Sequence, residues 1–113
     1  MILTIYEGRS EIASFTLIEG ENFIGRKDTK SPLLAPQVDL GPYNLKNQVY
    51  ERHACLTVNG TEAWLEDLGT QVGTYFVGLV KLEPGKKYPL IAYDEFLVGG
   101  IKLILFDNAS QGW

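Results

Sequence analysis

The sequence predicts an all-β protein: a sandwich or barrel of about ten to eleven short strands. Three observations carry that prediction. No segment sustains the 3.6-residue apolar period of a helix. The apolar residues instead fall in short runs rich in β-branched and aromatic side chains. Twelve glycines and five prolines in 113 residues supply the turns between those runs. With 45% apolar residues, the chain can build a core of its own and is too apolar for a disordered segment. Its length fits one domain.

Ile2 to Tyr6 and Ala13 to Ile18 read as strands joined through the turn-like Glu7-Gly8-Arg9-Ser10. Glu19-Gly20-Glu21-Asn22 then reads as a turn leading into Phe23-Ile24-Gly25, and Gln37 to Leu40 as a short strand. Ala54, Leu56 and Val58 alternate with Cys55 and Thr57, the period of a half-buried strand. Asn59-Gly60 is a dipeptide preferred in tight hairpins, because both residues tolerate positive φ. It should lead into Glu62 to Asp67, followed by Thr74 to Phe76, Tyr88 to Ile91, Phe96 to Val98 and Ile101 to Phe106. Glu83-Pro84-Gly85-Lys86 and Gly99-Gly100 punctuate the last members. The expected domain spans residues 1–107, with 108–113 a polar tail that frays apart from Trp113. Two longer segments, Lys27 to Gln37 and Gly41 to Val49, lack a strand pattern, and loops of that length are usually functional or mobile.

A formal net charge of −4 argues against a nucleic-acid partner or an anionic membrane surface, while leaving room for a local basic pocket. The single cysteine, Cys55, cannot form an internal disulfide and points to a reducing, cytoplasmic setting. No apolar run is long enough to insert in a membrane. Met1 leads straight into a strand with no signal-peptide pattern, which suggests a native N-terminus.

Polar residues gather in three segments between strands: Phe23-Ile24-Gly25-Arg26, Tyr50-Glu51-Arg52-His53-Ala54, and Asp67-Leu68-Gly69-Thr70-Gln71-Val72-Gly73-Thr74-Tyr75. In order and spacing they resemble the forkhead-associated (FHA) domain, over roughly residues 2 to 106. That family, a phosphothreonine-binding β-sandwich, reads Gly-Arg, then Ser-Arg-x-His-Ala, then Asp-Leu-x-Ser-x-Asn-Gly-Thr. Asp39-Leu40-Gly41-Pro42-Tyr43, ahead of a long loop, resembles a bacterial form of it.

The resemblance implies roles residue by residue. Arg26 takes the place of the arginine whose planar fork binds phosphate, with Gly25 permitting the tight strand exit. The plain alternative is an ordinary loop arginine. His53 takes the place of a structural histidine that ties loops together, and Asp67 and Gly73 belong to the same framework. Thr70 stands conservatively for serine, and Gln71 falls where the family varies. The departures concern the ligand. Tyr50 replaces the serine that donates to phosphate, and carries its hydroxyl at the far end of a ring. Glu51 replaces an arginine and adds negative charge. Val72 replaces the asparagine that bonds the peptide backbone, and Val77 replaces a second asparagine. A bond to a charged group contributes roughly 1.5–3 kcal/mol and a neutral one about 1 kcal/mol. Losing the serine and asparagine bonds removes about 3–5 kcal/mol. A binder at about 1 μM would fall to about the millimolar range, unless Tyr50, Gln71, Lys27 or Lys46 replaces the lost donors.

Tyr50 reads equally as a surface aromatic or as a contact for a protein partner, since interfaces favour tyrosine. Catalysis has little to rest on. One histidine and one cysteine do not make the usual metal site. A His53–Cys55 pair on one strand face is imaginable, but a buried small thiol is the better reading of Cys55. Trp64 and Trp113 read as packing residues. The expected function is therefore a non-enzymatic interaction module for a protein or peptide partner, with no cofactor. Its contact residues are Arg26, Tyr50, Glu51, Gln71 and Val72. Partner binding without phosphate is favoured, and phosphothreonine recognition through Arg26 is the alternative.

Overall fold

The computed structural model describes residues 1–28, 30 and 35–107. The expected polar tail, Trp113 included, lies outside them. Eleven strands form two sheets: β1 (Ile2–Glu7), β2 (Ser10–Thr16), β3 (Gly20–Gly25), β4 (Val38–Asp39), β5 (Ala54–Asn59), β6 (Glu62–Asp67), β7 (Thr74–Phe76), β8 (Val80–Lys81), β9 (Lys87–Leu90), β10 (Glu95–Val98) and β11 (Ile101–Phe106). One sheet runs β2-β1-β11-β10-β7-β8, the other β4-β3-β5-β6-β9. Among the described residues the only helical element is one 3-10 turn, Gly41–Tyr43, begun with Pro42 in its first turn.

Side-chain alternation builds the core between the sheets. The first sheet contributes Leu3, Ile5, Phe96, Val98, Leu103 and Leu105; the second contributes Ile24, Val38, Ala54, Leu56, Val58 and Leu65. Cys55 is buried as well but stands outside this cluster, on the opposite face of β5, between Phe23 and Glu66 in register. No helix among the described residues is long and apolar enough to cross a membrane.

Local details differ from the sequence reading for identifiable reasons. β3 begins at Gly20, three residues early, because Asn22 is fully buried and belongs to the strand. Its amide accepts from the Ile18 N–H at 2.8 Å and donates to the carbonyls of Ile18, Gly20 and Leu56. A residue typical of turns thus closes the preceding turn from inside the sheet. The β5–β6 hairpin centres on Gly60-Thr61, since Asn59 pairs with Glu62, and Gly60 has φ +62°. The Glu19 carboxylate accepts from the Gly60 N–H at 2.9 Å and fixes that choice. β8, only two residues long, carries no pattern that sequence could reveal.

The connections that matter lie at one end. β3 and β4 are parallel, with Ile24 opposite Val38 and Gly25 opposite Asp39. A parallel pair requires a crossover rather than a tight turn, which explains the long segment after Arg26. The β4–β5 loop returns the chain along the exit of β3. The β6–β7 loop lies beside it.

Candidate loop-end binding site

Gly25 is the hinge of this end. It sits where the β4–β5 loop crosses β3, and a Cβ there would collide with the Glu51 carbonyl and stand 2.7 Å from that of Tyr50. The requirement is steric, since only hydrogen leaves room for the crossing backbone. The Gly25 carbonyl accepts from the Leu40 N–H at 2.7 Å, and that of Ile24 accepts from the His53 N–H at 3.0 Å. Both ends of the β4–β5 loop are thereby fastened to β3.

His53 then fastens this loop to the next. Its side chain is fully buried. The Tyr50 N–H donates to Nδ1 at 3.2 Å, so Nε2 carries the proton and donates to the Gly73 carbonyl at 2.8 Å. Burial lowers the pKa of the ring below the usual 6.5, opposed by the Gly73 bond and by the charge of Asp67. Asp67, also fully buried, collects the rest of the β6–β7 loop. Its Oδ1 accepts from the hydroxyls of Thr74 at 2.8 Å and Thr70 at 3.2 Å, and its Oδ2 accepts from the Gly69 N–H at 3.0 Å. The Thr70 hydroxyl in turn accepts from the Gly73 N–H at 2.9 Å. Among the described residues no buried side-chain polar atom lacks a partner. Gly73 takes φ +83°, and a Cβ on it would stand 2.7 Å from the Lys81 side chain. Lys81, on the strand that the sequence did not reveal, therefore borders the β6–β7 loop.

On this framework sit the exposed groups. Arg26 donates from Nε to the Val49 carbonyl at 2.9 Å, and its Nη2 stands 3.5 Å from Glu51 Oε1. Both side chains are about half exposed. The Tyr50 ring is partly exposed and meets His53 edge-on, ring centres 5.6 Å apart. Gln71 is exposed and Val72 half-buried, between Thr70 and Gly73 at the tip of their loop. Lys27 and Lys46 are exposed. Arg52, between Glu51 and His53, turns to the Phe23 ring instead, 4.3 Å from its centre.

Contacts thus chain Arg26, Tyr50, Glu51, His53, Gly73 and Asp67 together, with Gln71 and Val72 inside the Thr70–Gly73 turn. Sequence reasoning missed the support behind them. Gly99, in the β10–β11 turn, has φ +55°, and a Cβ there would lie 2.7 Å from the Val49 side chain and 2.8 Å from the Gln48 carbonyl. That turn presses on the loop segment whose carbonyl holds Arg26. Only its Gly-Gly turn chemistry was visible in the sequence.

His53 is buried and engaged at both ring nitrogens. Burial raises the pKa of the Cys55 thiol, so it is no activated nucleophile. No group of three or more metal-ligating side chains occurs among the described residues.

Fold and site define a β-sandwich that presents a loop rim at one end. The FHA domain profile matches residues 22–99, and the chain belongs to the FHA-domain family. Solved structures agree on the fold. An FHA domain studied for phosphothreonine-dependent interactions is 24% identical, with TM-score 0.72 and 95% of each chain covered. The FHA domain of CT664 protein from Chlamydia trachomatis is 24% identical, with TM-score 0.72, covering 94% of this chain and 95% of that one. The FhaA FHA domain, complexed with the intracellular domain of Rv3910, is 24% identical, with TM-score 0.69, covering 91% of this chain and 96% of that one. A search of curated protein sequences finds no match.

Proposed function

We propose that this protein is a non-enzymatic interaction module whose loop rim binds a protein or peptide partner without requiring phosphate. The carrying observation is the donor inventory of the rim. Val72 has no polar side-chain atom. The Tyr50 ring packs edge-on against His53, and a tyrosine carries its hydroxyl at the far end of the ring rather than close to the backbone as a serine does. A tyrosine and a valine beside an exposed glutamine suit a largely uncharged peptide surface better than a dianion. The FhaA FHA domain, complexed with the intracellular domain of Rv3910, is a precedent for a protein partner. A cytoplasmic setting fits the single, buried thiol.

Phosphothreonine recognition through Arg26 remains the second reading. It is favoured by one observation: the arginine is kept beside Gly25, with a half-exposed side chain. Arg26→Ala together with phosphatase treatment of the natural partner separates the two. Binding unchanged by phosphatase treatment, and at most modestly weakened by Arg26→Ala, is the expected outcome. Loss of binding under both would establish the phosphothreonine reading. Under the first reading, Tyr50→Ser, Glu51→Arg and Val72→Asn combined should create phosphothreonine affinity where the parent has almost none.

A further inference from the structure

Arg26 is not an open anion site. A guanidinium recognises phosphate through two parallel N–H donors. Here Nε is committed to the Val49 carbonyl at 2.9 Å, and Nη2 faces the Glu51 carboxylate at 3.5 Å. The backbone of both partners is positioned by the fold. Val49 is buried, its β-branched side chain against Gly99. The Glu51 backbone crosses Gly25 so closely that no side chain fits between them. The Glu51 backbone is thereby held against Gly25, and its half-exposed carboxylate stands within ion-pair distance of Arg26, one residue from Tyr50, whose N–H is bonded to His53. A dianion approaching Arg26 meets a negative charge already in place beside Nη2 and is repelled by it.

We infer that Glu51 is the specificity-determining residue of this rim: an internal counter-ion that occupies Arg26 and rejects phosphorylated ligands in favour of uncharged ones. This deepens the phosphate-independent reading and rests on it. Tyr50 and Val72 remove attraction for phosphate, whereas Glu51 adds repulsion. Selectivity commonly needs both elements. The two effects are separable, because neutralising Glu51 restores no lost donor but frees Arg26.

The pair is partly exposed, so solvent moderates its strength. Removing the carboxylate should tighten a phosphopeptide by about two- to fivefold, the scale of one exposed charge interaction. The probe is a short, otherwise neutral phosphothreonine peptide and its unphosphorylated twin, titrated by NMR into wild type, Glu51→Gln and Glu51→Gln/Arg26→Ala. NMR follows millimolar binding and reports from the same spectra that each variant is folded. The expected result is millimolar or weaker binding by wild type. Glu51→Gln should show a gain for the phosphorylated peptide alone, abolished by adding Arg26→Ala. No gain in folded Glu51→Gln would overturn the inference while leaving the phosphate-independent reading intact. A gain that survives Arg26→Ala would overturn it too, since the effect would then be general charge. Low-micromolar phosphopeptide binding by wild type would sink the underlying reading itself, and the inference with it.

Discussion

The loop end contains two regions with opposite characters. Behind the surface, His53, Asp67, Thr70, Gly73 and Thr74 form a buried network in which every side-chain polar atom has a partner. At the surface, Arg26, Tyr50, Glu51, Gln71 and Val72 are partly or fully exposed, and their one ion pair is open to water. By the resemblance read from the sequence, the inner region carries framework residue types, whereas in the outer one Tyr50, Glu51 and Val72 depart and Arg26 does not. The difference teaches which constraint each region answers to. A buried polar network tolerates few substitutions, because removing one member strands the others without partners. An exposed rim has no such penalty, so its chemistry can be changed while the scaffold that presents it stands.

If that contrast is right, the largest effect should come from His53→Ala. It leaves a cavity and strands the Tyr50 N–H and Gly73 carbonyl, at a cost of about 3–4 kcal/mol. Chemical denaturation measures it directly. A loss under about 1 kcal/mol would mean that water satisfies these groups and that the inner region is not the rigid one.

Gly25→Ala comes next. The added methyl has nowhere to go except into the Tyr50 and Glu51 backbone, and overpacking of this kind costs about 1–3 kcal/mol. Its amide spectrum should show shifts concentrated in residues 49–53. Full stability with an unchanged spectrum would show that the crossing loop yields easily, and that the two regions are less distinct than described.

The smallest effect is pH dependence. Burial keeps the His53 pKa below its ordinary 6.5, so the unfolded chain binds a proton more readily than the folded one. The stability due to a neutral ring is complete above the ordinary value and is lost as pH falls through the folded pKa. Melting temperature should therefore begin to drop as pH falls below about 7 and go on dropping until the folded pKa is passed, in a range where histidine is the side chain that ordinarily titrates. His53→Gln should flatten that slope. An equal slope in the variant would assign the titration elsewhere.

Much of this was legible in the sequence. The alternation in Ala54–Val58 marked Ala54, Leu56 and Val58 as the core-facing set, because a strand has a period of two whatever its partner. In the almost wholly apolar Ile101–Phe106 only the strand itself was legible, and packing selected Leu103 and Leu105 for the core. The order of Gly25-Arg26, His53-Ala54 and Asp67 to Tyr75 marked three loops as one functional end. Reading Tyr50, Glu51 and Val72 in place raised doubts about phosphate that local chemistry alone could support. Tertiary structure decided the rest, because it depends on contacts between residues far apart in the chain. It moved Asn22 from a turn into a strand, through a bond to Leu56. It made β8 a strand by giving Val80 and Lys81 a partner in β7. It set Gly99 against Val49, and so behind Arg26. It also turned Glu51 from a charge somewhere near the site into the group facing Arg26. Sequence specifies which groups a loop carries. Which of them meet depends on where two crossing backbones leave room.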